Sequence, residues 1–550
     1  MRRNKTILAV ICYGLAWVAS FGISAAEISH VSTTKDSISI AGHAGGEAMG
    51  IAELAPYESA NNLANAAVVA RTGLKGNFKI KIPRWEGDRD RLYSGLLGFV
   101  ISTNNVREAR GNIRFVEEMR GVSKYNQPFP RAASKKGLQV QMVDDAIALG
   151  VKHAALNVDL AQMIELNDKP DDPTWQLDGR TYHFDRHHLE ALDQRVKPLS
   201  DAGMVVTFIL LYYKSGQAAL DRIMLHPNFD QGSPNRLTAF NTGTAEGLRY
   251  FKAAIEFLAD RYSRPDHACG RAVNFIVGNE VNSHWYWYNM GRAPMEAFAA
   301  DYLRTVRVCN TAVRKISTSA RVYISLEHNW NRGMEPDGLR TFAGREFVDY
   351  FNRLAQAGGD FDWNLAYHPY PEDLNEPRTW NDKSATLNEN TPCITFKNLE
   401  MLPRYFERPE FRYHGAPRHI ILSEQGFNTP DKPDGELWQA AAYCYAYYRV
   451  AGLPGIDAFI LHRHVDNGNE FGLSLGLWRR DVAGGSNEPA SRKKIYEPFR
   501  LADTAEWKRA FAFALPVIGI KRWEEIKPKP VPPDYQTAKN PLSSQSRQPR

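Results

Sequence analysis

The rhythm of hydrophobic and polar positions changes once along this chain. Between residues 28 and 123, short segments alternate with period two: Ser37-Ile38-Ser39-Ile40, Phe78-Lys79-Ile80-Lys81-Ile82 and the run from Leu96 to Ile101. Gly and Asn clusters separate them, and alternation broken by turn residues predicts a small β-sandwich over 27–123. Beyond about Lys124, short apolar runs alternate with amphipathic stretches. Strands are predicted at 151–158, 204–212, 272–278, 322–326, 363–367, 419–423 and 457–461. Six of the helices they feed are predicted at 185–202, 244–262, 294–316, 345–357, 399–406 and 436–450, with a seventh near 495–513. Short, uniformly apolar strands feeding crossover helices mark a parallel sheet buried on both faces. Seven strands leave a barrel open, but the helix read at 141–149 requires a strand before it, near 135–138. That makes eight, and the fold predicted over 124–526 is a (β/α)8 TIM barrel.

Composition changes this picture little. The chain is 43% hydrophobic and 24% charged, as ordinary globular proteins are. Its formal charge of +6 is concentrated at the two ends, in Arg2, Arg3, Lys5 and the stretch from Lys527 to Arg550. The body between them is near neutral, which argues against nucleic acid as a partner.

The first 26 residues read as a secretory signal: a basic start, an apolar run from Ile7 to Ile23, and small residues at Ser24-Ala25-Ala26. The expected location is secreted or periplasmic, with an uncleaved anchor as the alternative, since the apolar run is slightly long. No later stretch is long and apolar enough to span a bilayer. The Pro-, Ser- and Gln-rich stretch 527–550 is expected to be disordered. Export permits disulfides, and Cys269 and Cys309 both fall toward the bottom of the barrel, so they are candidates for a bridge, with two free thiols as the alternative. No Cys-x-x-Cys spacing suggests zinc or redox chemistry, and nothing calls for a cofactor.

Active sites of such barrels sit at the C-terminal strand ends. Strand four, Val273-Asn274-Phe275-Ile276-Val277-Gly278, ends in Asn279-Glu280, and strand seven, His419-Ile420-Ile421-Leu422-Ser423, ends in Glu424. Either glutamate alone is as readily a helix cap as a functional group. Two facing each other across one mouth are what glycosidic cleavage needs, one to protonate the leaving oxygen and one to attack the anomeric carbon. Together with His368-Pro369-Tyr370 at the end of strand six, this pattern resembles the clan of retaining (β/α)8 glycoside hydrolases that includes cellulases, mannanases, xylanases and β-galactosidases. The resemblance implies that Glu280 is the acid/base and Glu424 the nucleophile. It also implies that Asn279 binds the sugar 2-hydroxyl, and that the tyrosine of the His-x-Tyr motif holds the nucleophile ionised. The sequence departs from the clan at strand eight, where a common Trp is replaced by His462-Arg463-His464. At strand two, Asn157 and Asp159 stand where many members carry Arg, and Arg463 is a candidate to replace that group beside Glu424. These departures leave the sugar open.

Five consecutive rings follow the acid/base: His284, Trp285, Tyr286, Trp287 and Tyr288. They are expected partly in the core and partly as a stacking platform for sugar. Tyr213, Glu327, His328 and Asn329, at other strand ends, either line the cleft or cap helices. The N-terminal domain either binds carbohydrate or braces the barrel, and the lack of a legible aromatic cluster favours bracing. Two other functions remain: a metal-dependent barrel hydrolase using His462-x-His464 and Asp466 or His187-His188, and a carbohydrate-binding barrel without catalysis.

Overall fold

The computed structural model describes residues 26–74 and 76–529. Apart from Ala26, the expected signal lies outside them, as does the predicted disorder beyond residue 529. In the N-terminal region two four-stranded sheets form. One contains Glu27–Thr33, Ser37–His43, Asn77–Pro83 and Glu118–Met119; the other contains Gly50–Leu54, Ala67–Arg71, Gly95–Ile101 and Arg107–Arg114. Val31, Ile38, Ile40, Ile51, Ile82 and Leu96, drawn from both sheets, share one buried core. This region is tied to the barrel helices by the Phe115 N–H, which donates to the Gly358 carbonyl at 2.9 Å, and by Lys315, 3.3 Å from buried Asp90.

Eight parallel strands then close a barrel in chain order. They are Lys136–Gln139, His153–Asp159, Val205–Leu211, Asn274–Val277, Arg321–Glu327, Trp363–His368, Ile420–Gln425 and Ala458–Leu461. Along each strand, side chains alternate between two cores. Phe208 and Leu210 face the surrounding helices, while Ile209 and Leu211 join Ala155, Ile276, Tyr323, Ala366, Ile421 and Ile460 inside the barrel. The helices form for local reasons. Arg186–Asp201 buries Leu189, Leu192, Val196 and Leu199 on one stripe, and its first turn is capped by Asp185, which accepts the His188 N–H at 2.7 Å.

Away from the strand ends, two expectations are not met. The long helix read near 495–513 is broken into Tyr496–Leu501, Trp507–Phe511 and Ala514–Ile518. Asp503 adopts a left-handed φ of 65°, which a continuing helix does not tolerate. Cys269 and Cys309 are free thiols rather than a bridge. Cys309 is turned wholly into the core of the helix Met295–Ile316, whereas Cys269 is half-buried beside Asp193 and Arg261. A helix that turns one thiol into the core holds it away from a neighbour on the surface, whatever their heights in the barrel.

Candidate active site

A cavity of about 750 Å³ opens at the C-terminal strand ends, lined by Asn279, Glu280, Tyr370, Glu424, Trp287 and Phe471 among others. Three local features bring the acidic groups there. Gly278, at φ 73°, turns the chain where an added Cβ would lie 2.3 Å from the Tyr288 ring, so only glycine fits. Glu280 itself is held left-handed, at φ 39°, with its N–H donating to Ser325 Oγ at 3.0 Å. A non-glycine residue in this region is strained, and such strain concentrates at functional positions. On strand seven, Ile421 faces inward and Leu422 outward. Simple alternation would then send Glu424 outward with Leu422. The pairing register slips between Leu422 and Gln425, and this bulge re-aims the side chain into the mouth. Strand six needs no such device, since Ala366 faces the barrel interior and His368 follows it at the same parity.

The resulting contacts are short. One donor atom each from Glu280, His368 and Glu424 lies within 4.8 Å of the other two. His368 Nδ1 meets Glu280 Oε1 at 2.9 Å, and its Nε2 meets Ser423 Oγ at 3.0 Å. The Tyr370 hydroxyl donates to Glu424 Oε1 at 3.1 Å. Burial lifts the Glu280 carboxyl above its ordinary pKa; hydrogen bonding and charge from His368 oppose this, and the negative charge of Glu424 adds to it. For His368, burial disfavours the imidazolium, but the charges of Glu424 and Glu280 outweigh it and raise the pKa. One carboxyl is therefore biased toward holding its proton beside another that receives a hydrogen bond.

The remaining sequence-predicted residues divide. Asn157, Tyr213, Glu327, His328, Asn329 and Arg463 all line the cavity. Asn157 Oδ1 accepts from Gln139 at 3.0 Å, and the Tyr213 N–H donates to Asp159 at 3.2 Å. Glu327 is saturated: Oε1 takes Asn282 at 2.8 Å and Ser283 at 3.2 Å, and Oε2 takes the backbone and side chain of Asn329. It ties the loops after strands four and five together. Asn279 lines the cavity with no hydrogen bond from its side chain among the described residues. Arg463 donates to Glu470 at 2.6 Å rather than to Glu424.

His284 and Trp285 are corrections, for neither reaches the cavity. His284 is fully buried between Phe298 and Phe342, and burial pushes its pKa down to about 3. Trp285 is 7% exposed and donates from Nε1 to Asp230 at 2.8 Å. The short helix His284–Trp287 rotates successive rings apart, and of this set only Trp287 faces the cavity. The histidines considered for metal binding are also dispersed. His462 contacts Gln139 and Glu470, His464 contacts Asp145, Asp466 pairs with Lys493, and His187-His188 begins a helix.

Sequence reasoning missed Gln139, Arg332, Glu372, Glu470 and Phe471, all of which line the cavity. Phe471 left a trace: it is a lone aromatic in the Gly- and Asn-rich stretch Asn467-Gly468-Asn469-Glu470-Phe471-Gly472. Glu470 is drawn down to about 2; burial works against this, but His462 and Arg463 outweigh it.

Residues 128–526 match a family described as a family of unknown function, DUF5722. No curated protein matches the chain. Among solved structures, the chain is similar to a family 39 glycoside hydrolase from the gut symbiont Bacteroides cellulosilyticus WH2, at 13% identity and TM-score 0.42, over 87% of this chain and 82% of that one. It is similar to a glucosidase from Croceicoccus marinus at 13% identity and TM-score 0.40, over 68% of this chain and 69% of the other. For a family 1 β-glucosidase from Thermotoga maritima the values are 11%, 0.39, 69% and 86%.

Proposed function

We propose that this chain, which belongs to the family of unknown function DUF5722, is an exported retaining glycoside hydrolase acting on the O-glycosidic bonds of a poly- or oligosaccharide. The reading is carried by the spacing of two carboxylates, since Glu280 and Glu424 each place an oxygen within 4.8 Å of the other. Retaining enzymes hold their carboxyl groups about 5–5.5 Å apart, whereas inverting enzymes leave about 6.5–9.5 Å for a water. The environments of the two carboxyls support the division of roles. Glu280, with its raised pKa, keeps a proton to give, and Glu424 is oriented by the Tyr370 hydroxyl.

In the first step a Glu424 oxygen bonds to the anomeric carbon as the bond to the leaving oxygen breaks, and that oxygen takes the Glu280 proton. In the second, water attacks the anomeric carbon, Glu280 accepts its proton, and Glu424 leaves as a carboxylate. In this reading Asn279, which lines the cavity, hydrogen-bonds the sugar 2-hydroxyl, a contact that strengthens in the transition state. The signal-like N-terminus supports action outside the cytoplasm, secreted or periplasmic.

The test is mutational. Glu424→Ala abolishes turnover, and Glu280→Ala spares activated aryl glycosides more than natural ones, because a good leaving group needs little protonation. Turnover at the wild-type rate in Glu424→Ala would overturn the assignment.

A second reading, a metal-dependent hydrolase, has one observation in its favour. Glu280, His368 and Glu424 could jointly ligate a divalent ion. Both imidazole nitrogens of His368 are already engaged, with Glu280 and Ser423, which weighs against it.

A further inference from the structure

The wall of the cavity opposite strand four is built by the loop after strand eight, and its tip is unusual. Phe471 is 71% exposed, yet its backbone sits in the left-handed region at φ 53°. A bulky side chain rarely adopts that conformation, and where one does the surroundings impose it. The surroundings here are firm on both sides of the residue. Glu470 is held by His462 at 2.9 Å and Arg463 at 2.6 Å. Leu473 and Leu475 pack on Tyr370 in a small buried cluster. Phe471 is therefore presented by an anchored loop.

Its ring meets Trp287 edge-on, with centroids 5.9 Å apart. Trp287 follows strand four and Phe471 follows strand eight, and in a closed barrel of eight those strands face each other. The pair thus joins the loops that follow two opposite strands, at the edge of the cavity. A cavity of about 750 Å³ bridged in this way is the size of a site for a small ligand, whereas a polymer crossing the barrel needs an open groove.

Resting on the glycosidase reading, we infer that the Trp287–Phe471 bridge closes one end of the cleft, so that the enzyme removes sugars from chain ends and does not cut within a polymer. The two rings present apolar faces and edges to the terminal sugar and block the path a continuing chain would take.

The experiment compares wild type with Phe471→Ala and Trp287→Ala on a soluble polysaccharide that the wild type hydrolyses. Loss of molar mass and release of reducing ends are followed together. Wild type is expected to release mono- or disaccharides while the polymer's molar mass falls slowly. In Phe471→Ala, molar-mass loss per reducing end rises at least threefold, an outcome that a merely structural defect would not produce. A wild type that collapses molar mass from the first turnovers, or an unchanged ratio in both variants, overturns the inference.

A binding arm needs no turnover and separates this inference from the glycosidase reading. Glu424→Ala is titrated with β-linked gluco-, manno-, xylo- and galacto-oligosaccharides, each free or carrying bulky groups at both ends. Blocking the ends is expected to weaken binding at least tenfold, and equal binding of the two forms refutes end recognition. If the blocked forms bind poorly while wild type cleaves no glycoside, the bridge stands and the catalytic reading falls.

Discussion

Tyr370→Phe removes one oxygen and tests how Glu424 is held. Tyr370 is buried, and its hydroxyl donates to Glu424 Oε1 at 3.1 Å and has no other bond to replace it among the described residues. A hydrogen bond to a charged group contributes about 1.5–3 kcal/mol. At about 1.4 kcal/mol per tenfold, losing it lowers kcat/KM by roughly 10- to 150-fold if the bond is needed to place the nucleophile. The ring keeps its packing against Leu473 and Leu475, so the variant folds, and an unchanged thermal midpoint and circular dichroism spectrum check this. The assay is kcat/KM with an activated aryl glycoside, for which the attack by Glu424 is least masked by leaving-group protonation. A folded Tyr370→Phe enzyme within threefold of wild type would refute the claim that this contact positions the nucleophile.

Other outcomes follow from the same geometry. The active form of Glu280 is protonated and its pKa is raised, so the alkaline limb of kcat/KM falls at a pH above the ordinary carboxylate range, and Glu280→Ala lacks that limb. His368 pulls the Glu280 pKa down, so His368→Gln moves the limb to higher pH; a limb that stays in place contradicts the coupling. Gly278→Ala puts a Cβ 2.3 Å from the Tyr288 ring at φ 73°, and overpacking plus strain costs about 1–3 kcal/mol of stability, read by urea unfolding. Dialysis against EDTA leaves glycosidase activity unchanged, whereas a loss restored by a divalent ion would favour the metal reading.

Much of the barrel was legible because its strands are uniformly apolar and its helices periodic. Polar residues that interrupt that pattern, Asn279-Glu280 and Ser423-Glu424, stood out for the same reason. What aimed them did not. The slip between Leu422 and Gln425 is a pairing event between strands seven and eight, and the left-handed turn at Glu280 depends on Ser325 from strand five. The aromatic run shows the limit of composition, since His284 and Trp285 differ from Trp287 only by their angle around one short helix. Phe471 is not legible in the sequence because its ring contact is with Trp287, distant in the chain and brought near only when the barrel closes. Glu327 reads in sequence as another strand-end acid, and only its four donors reveal a structural tie.

Retention by double displacement requires that Glu424 form a covalent bond with the sugar. The direct measurement is peptide mapping by mass spectrometry after incubation with an activated 2-deoxy-2-fluoro glycoside of a sugar that the enzyme hydrolyses. One glycosyl adduct per chain is expected, on the peptide containing Glu424, and none in Glu424→Gln. An adduct on a different residue, or steady turnover of the parent glycoside with no adduct trapped, would contradict it.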